Sequence, residues 1–115
     1  MIGTHVKLSS AATSGNGSVF TCDGEMERLT FYITTDTGVV SAGAITIEEA
    51  ADPNYAGTWS TMNSDSGGQA AITLVQGTTI ARHYTGSFGA VRARYSTSLT
   101  GGATCTVDLF GYAAH

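Results

Sequence analysis

Residues able to do chemistry are few in this chain, and their spacing is restrictive. His5, His83 and His115 stand far apart, and none falls in an H-x-x-x-H or H-E-x-x-H spacing, so no single element presents two imidazoles to a metal. Cys22 and Cys105 form no C-x-x-C, which leaves zinc binding and dithiol redox chemistry without support. They either bridge an early strand to the last one or stay apart as small buried hydrophobes in a reducing cytosol, and the second reading is preferred. Glu48 and Glu49 are neighbours; on a strand they point to opposite faces and make a poor acid–base pair. Asp36, or Asp52 with Asn54, offers oxygens to calcium but lacks the spacing of an EF-hand loop. There is no G-x-S-x-G elbow, and Gly15-Asn16-Gly17 precedes a strand rather than a helix, the wrong context for a dinucleotide loop. The expectation is a protein that is not an enzyme, with no catalytic residues, no cofactor and no metal.

Two aromatic residues invite a binding role instead. Tyr55 and Trp59 lie four apart in ADPNYAGTW, after a proline that drives Asp52 away from helical angles. Trp59 is expected to be a core anchor closing one end of the fold; the alternative is an exposed Tyr55–Trp59 pair that stacks on sugar.

Charge narrows the partners. Five Lys and Arg against nine Asp and Glu give a net charge of −4, which argues against a nucleic acid engaged through a basic surface. Eight of the nine acids (Asp23, Glu25, Glu27, Asp36, Glu48, Glu49, Asp52 and Asp65) precede residue 66, whereas Arg82, Arg92 and Arg94 follow it with Asp108 alone. The two regions either meet head to tail between subunits, or pair within one subunit or merely face water, the more common outcome. The start of the chain lacks the apolar run of a secretory signal, though other export routes stay open. No stretch of about 18 apolar residues is present, so no membrane partner is expected.

The elements that must position these residues read as strands. Short alternating segments at residues 5–8, 19–22, 28–34, 43–49, 58–62, 70–75 and 80–84 are separated by Gly, Ser, Asn and Asp turns, with Leu29, Phe31, Ile33, Ile45, Ile47, Ile72 and Leu74 facing inward. Glu48 to Ala51 offers a short helical turn. SSAATSGNGS, residues 9–18, reads as a loop behind a possible N-terminal arm; its Asn16-Gly17-Ser18 fits a glycosylation acceptor but is first of all a turn signal. The clearest element is 90–112. Val91, Ala93 and Tyr95 alternate with Arg92, Arg94 and Ser96, and Cys105, Val107 and Leu109 alternate with Thr104, Thr106 and Asp108. Read as a hairpin, its parity places Tyr95 opposite Cys105 and Arg92 opposite Asp108. The whole is an all-β, single-domain antiparallel β-sandwich of seven or eight strands over residues 1–115.

DTGVVSAGAITIEEAADPNYAGTWSTM (36–62) and GAVRARYSTSLTGGATCTVDLFGY (89–112) resemble segments of small structural proteins of tailed-bacteriophage virions, in particular capsid cement or decoration proteins. The resemblance implies a jelly-roll-like sandwich, commonly a homotrimer, made in the host cytoplasm and seated on the capsid exterior against the major capsid protein; the alternative is another virion component, such as a tail, neck or receptor-binding module. It carries no catalytic residues across. With it, Arg92, Arg94, Asp108 and Tyr112 are expected at or beside a subunit contact.

Overall fold

A computed structural model describes residues 2–22, 28–62, 64–65, 71–86 and 88–113. The acids Asp23, Glu25 and Glu27, together with His115, lie outside the described residues. Among the described residues nine strands run in chain order: β1 Ile2–Ala12, β2 Phe20–Thr21, β3 Arg28–Thr35, β4 Ala42–Ala50, β5 Ser60–Thr61, β6 Ile72–Thr73, β7 Thr79–Thr85, β8 Ala90–Thr100 and β9 Cys105–Ala113. They form two antiparallel sheets, one ordered β1-β9-β3-β7 and the other β2-β8-β4-β5, with β6 also on β4. Except within β4 to β6, each strand is followed by one in the opposite sheet, which is jelly-roll connectivity.

The inward faces follow the period-2 pattern of the sequence. Leu29, Phe31, Ile33, Val107 and Leu109 of the first sheet meet Ile45, Ile47, Val91, Ala93 and Tyr95 of the second in one core. Both cysteines belong to that core, and burial pushes the Cys105 thiol above its ordinary value. Tyr95 ties the layers together, its hydroxyl donating to the Ala12 carbonyl at 3.2 Å.

The hairpin expected at 90–112 does not form. β8 pairs with β2 and β4, whereas β9 pairs with β1 and β3, so the two arms lie in opposite sheets. Gly101 and Gly102, with φ of 112° and 116°, carry the chain across. A Cβ on Gly101 would stand 2.6 Å from the Val39 carbonyl oxygen, so both the angle and the space require glycine. The helical turn at 48–51 is also absent: β4 runs on to Ala50. Its edge ladder and the outward burial of Glu48 favour extension over a local turn.

Both open sides of the sandwich are laced shut. On one, residues 13–17 lie along β8: Leu99 N–H donates to Thr13 at 2.7 Å, Tyr95 N–H to Gly15 at 3.0 Å, and Gly17 N–H to Ala93 at 2.8 Å. The expected loop is therefore an edge segment, bent into place by two bulges in β1 and by Ala11 at φ 48°. Gly17 is needed for the close approach, since a Cβ there would meet the Leu8 carbonyl oxygen at 2.9 Å. On the other side β5 and β6 are two pieces of one edge along β4. Between them Asp65 reaches the first sheet, its N–H donating to His83 of β7 at 2.8 Å. Unpaired strand edges invite further strands, and these contacts occupy them.

Asp36 fastens the loop after β3 to the crossing between β8 and β9. Its carboxylate accepts from Gly38 N–H at 2.9 Å and from the Thr104 hydroxyl at 2.8 Å, and these bonds hold its carboxyl below the ordinary 3.8. A depressed folded-state pKa stabilises the fold above the unfolded value and ceases to do so as pH falls through the folded one. Asp36→Asn should therefore lower the urea midpoint at neutral pH, and the difference from wild type should shrink below pH 3.8. A pH-independent difference would mean that the two bonds do not depend on the ionised carboxylate.

Candidate functional site

The four residues expected to share a contact are divided by the sandwich. Arg92 and Arg94 point outward from β8 on the five-stranded sheet, whereas Asp108 and Tyr112 stand on β9, in the four-stranded sheet. The expected Arg92–Asp108 pair is replaced by a buried carboxylate between two arginines: Arg92 Nε donates to Glu48 Oε1 and Arg94 Nε to Glu48 Oε2, each at 2.9 Å. Glu48 and Arg92 are register partners across β4 and β8, so the pairing was set by the sheet and not by chain proximity.

Trp59 is buried, but not as the end plug of the core. It lies outside the core cluster, with the Arg92 guanidinium 4.3 Å from its ring centroid, a cation–π contact with one of the two arginines that pair Glu48. Its indole N–H donates to the Tyr55 carbonyl at 3.2 Å. The intervening loop is held by Asp52, whose carboxylate accepts from Asn54 N–H at 2.8 Å. Tyr55 is 46% exposed and Trp59 only 7%, so they do not form an exposed stacking pair.

Aromatic groups do gather on the other side of the molecule. Antiparallel register puts His5, Phe110, Thr30 and His83 in one row across β1, β9, β3 and β7. The His5 imidazole stacks on Phe110, with centroids 4.2 Å apart and planes 1° from parallel. Tyr32 meets Phe110 at 5.4 Å and 87°, an edge contact. His5 Nε2 lies 3.2 Å from Asp108 Oδ1, and the Thr30 hydroxyl lies 3.0 Å from His83 Nδ1. Thr79 and Tyr112 complete the walls of a shallow cavity of about 480 Å³. Asp108 and Tyr112 are thus brought together, with neighbours the sequence reading missed. A signal existed: Phe110 and Tyr112 continue the outward parity of Thr106 and Asp108, and an outward row that turns aromatic is unusual for a solvated face.

No known protein family matches the chain, and no curated protein sequence does. Solved structures do match in shape. The SPBc2 prophage-derived protein YomS superposes with a TM-score of 0.63 at 20% identity, over 95% of this chain and 93% of its own. The fold is shared with prophage proteins. The PBSX exported protein XepA gives a TM-score of 0.63 at 16% identity over 96% of this chain, which spans only 37% of XepA. A Bacillus endospore appendage protein, from a family of disulfide-linked pili, gives 0.50 at 15% identity over 99% of this chain and 88% of its own. At such identities the likeness is one of fold.

Proposed function

We propose that the chain is a non-catalytic structural protein of a tailed-bacteriophage particle, which binds the outside of the assembled capsid as a homotrimer and stabilises it. The observation that carries this reading is the nearly full-length likeness in fold to the prophage-derived YomS. Its partners are further copies of itself and the major capsid protein, with no nucleic acid or membrane. A protein that binds the assembled shell but not its separated subunits adds free energy only to the assembled state, and many copies multiply a modest term.

The five-stranded sheet supplies the seating surface. Glu48 holds the partly exposed Arg94 in one orientation, so its free donors reach an acceptor on another subunit at little entropic cost. Tyr55 stands exposed nearby, on the loop that carries Trp59. Native mass spectrometry of the purified chain should give a trimer. The chain should also co-sediment with capsids built from the major capsid protein encoded with it, and Tyr55→Ala should weaken that co-sedimentation. A strict monomer that stays in the supernatant would overturn the proposal.

A further inference from the structure

We infer that the outer face of the four-stranded sheet is a glycan-binding site, in which a short pyranose chain lies across the strands against Phe110 and Tyr32. A pyranose has an apolar face of C–H groups and a rim of hydroxyls. It is held best by an aromatic ring beside groups that both donate and accept hydrogen bonds. The face offers both kinds within one recess. His5 covers one face of Phe110, so the C–H face of a sugar rests on Tyr32, which is 38% exposed and set at 87° to the Phe110 ring. Around it stand Thr79, Tyr112 and Asp108, with Thr30 buried beneath them and its hydroxyl 3.0 Å from His83 Nδ1. A hydroxyl both donates and accepts, so such a rim can follow a ligand made mostly of hydroxyls.

The site is also arranged before any ligand arrives. His5 stacks on Phe110 and is itself held by Asp108, and His83 meets the Thr30 hydroxyl, so several of these side chains have little freedom left to lose on binding. One carboxylate oxygen of Asp108 faces His5; among the described residues no hydrogen bond reaches its second oxygen, which can accept from a sugar hydroxyl. From β1 to β7 the face is roughly 14 Å wide at the usual strand spacing, enough for a short oligosaccharide. The cavity of about 480 Å³ lies within the range of small-molecule sites. Other ligand classes fit less well. A phosphate backbone needs a run of cations, and a lipid chain needs an apolar groove without this polar rim. The Tyr55–Trp59 side offers no comparable shelf, because Trp59 is covered.

This inference does not rest on the capsid reading, since it concerns the isolated chain, and failure to join a capsid would leave it intact. The purified protein should be screened on an array of neutral and N-acetylated oligosaccharides. The best binder should then be titrated by amide-resolved NMR. Binding is expected at micromolar to millimolar concentration, with shifts centred on Thr30, Tyr32, Asp108 and Phe110. Tyr32→Ala should weaken it by about tenfold or more. Phe110→Leu, which keeps an apolar side chain in case alanine disturbs the sheet, should do the same, whereas Tyr55→Ala should leave it unchanged. An array with no binder at millimolar concentration, or shifts centred elsewhere, would overturn the inference. So would an affinity indifferent to both variants. Shifts of the same amides on raising protein concentration without sugar would assign the face to a second copy instead, and would equally overturn it.

Discussion

Glu48→Ala is expected to destabilise the fold by about 3 kcal/mol, the lower end of what breaking a buried ion pair costs. The mutation leaves Arg92 facing a space with no counter-charge, under the ring of Trp59. Arg92 is only 18% exposed and cannot recover its hydration; Arg94, at 39%, can, which is why the lower figure applies. Glu48→Gln should cost less, because an amide oxygen still accepts from one arginine. Chemical unfolding of the single and paired substitutions checks this: a Glu48/Arg92 double-mutant cycle should show coupling, and the Glu48/Arg94 cycle a smaller one. Additive effects in both cycles would mean that the ion pairs contribute nothing net.

Phe31→Ala should cost about 3–5 kcal/mol, the range for removing a large aromatic from a packed core. The ring is completely buried between the sheets and meets Tyr84 edge-on, with centroids 5.4 Å apart at 88°. Its neighbour Tyr32 is the control. One position along the same strand, it points out of the sheet and is 38% exposed, so Tyr32→Ala should cost less than about 1 kcal/mol. Urea midpoints of the two variants, measured side by side, should differ several-fold in their shift from wild type. Equal shifts would contradict the assigned strand parity.

Much of this parity was legible in the sequence. Leu29, Phe31 and Ile33, then Val91, Ala93 and Tyr95, then Cys105, Val107 and Leu109 all face the core as alternation predicts. Alternation fixes which way a side chain points but not which strand lies beside it. Two consecutive amphipathic strands can bury their apolar faces as neighbours in one sheet, or from opposite sheets across the core. The residues of 90–112 satisfy both, and a short glycine-bearing connection serves either. The jelly-roll architecture implied by the phage resemblance puts the last two strands in different sheets; the local hairpin reading conflicted with it, and the global topology prevailed.

The candidate site was less legible for the same reason. His5 and Phe110 are 105 positions apart, and only the β1–β9 ladder makes them register partners. Glu48 and Arg92 likewise meet only through the β4–β8 ladder. Composition hid the closed edges too, since SSAATSGNGS has the residues of a loop and the hydrogen bonds of a strand edge. The turn at Asp36 is local by contrast: its side chain caps Gly38 as an Asx turn does, a contact two residues in range.

The ladder between the first strand and the last also sets an order of events in time. Among the described residues β1 pairs with β9 alone, and β3 depends on β9 for one of its two flanks. While the chain is being made, the first sheet lacks its second strand until residues 105–113 have emerged. Assembly of that sheet is therefore deferred until β9 has emerged, and distant pairings of this kind close slowly. Until then β1 waits with Val6, Leu8 and Ala12 uncovered, the interval in which a nascent chain is most open to mispairing with another copy of itself.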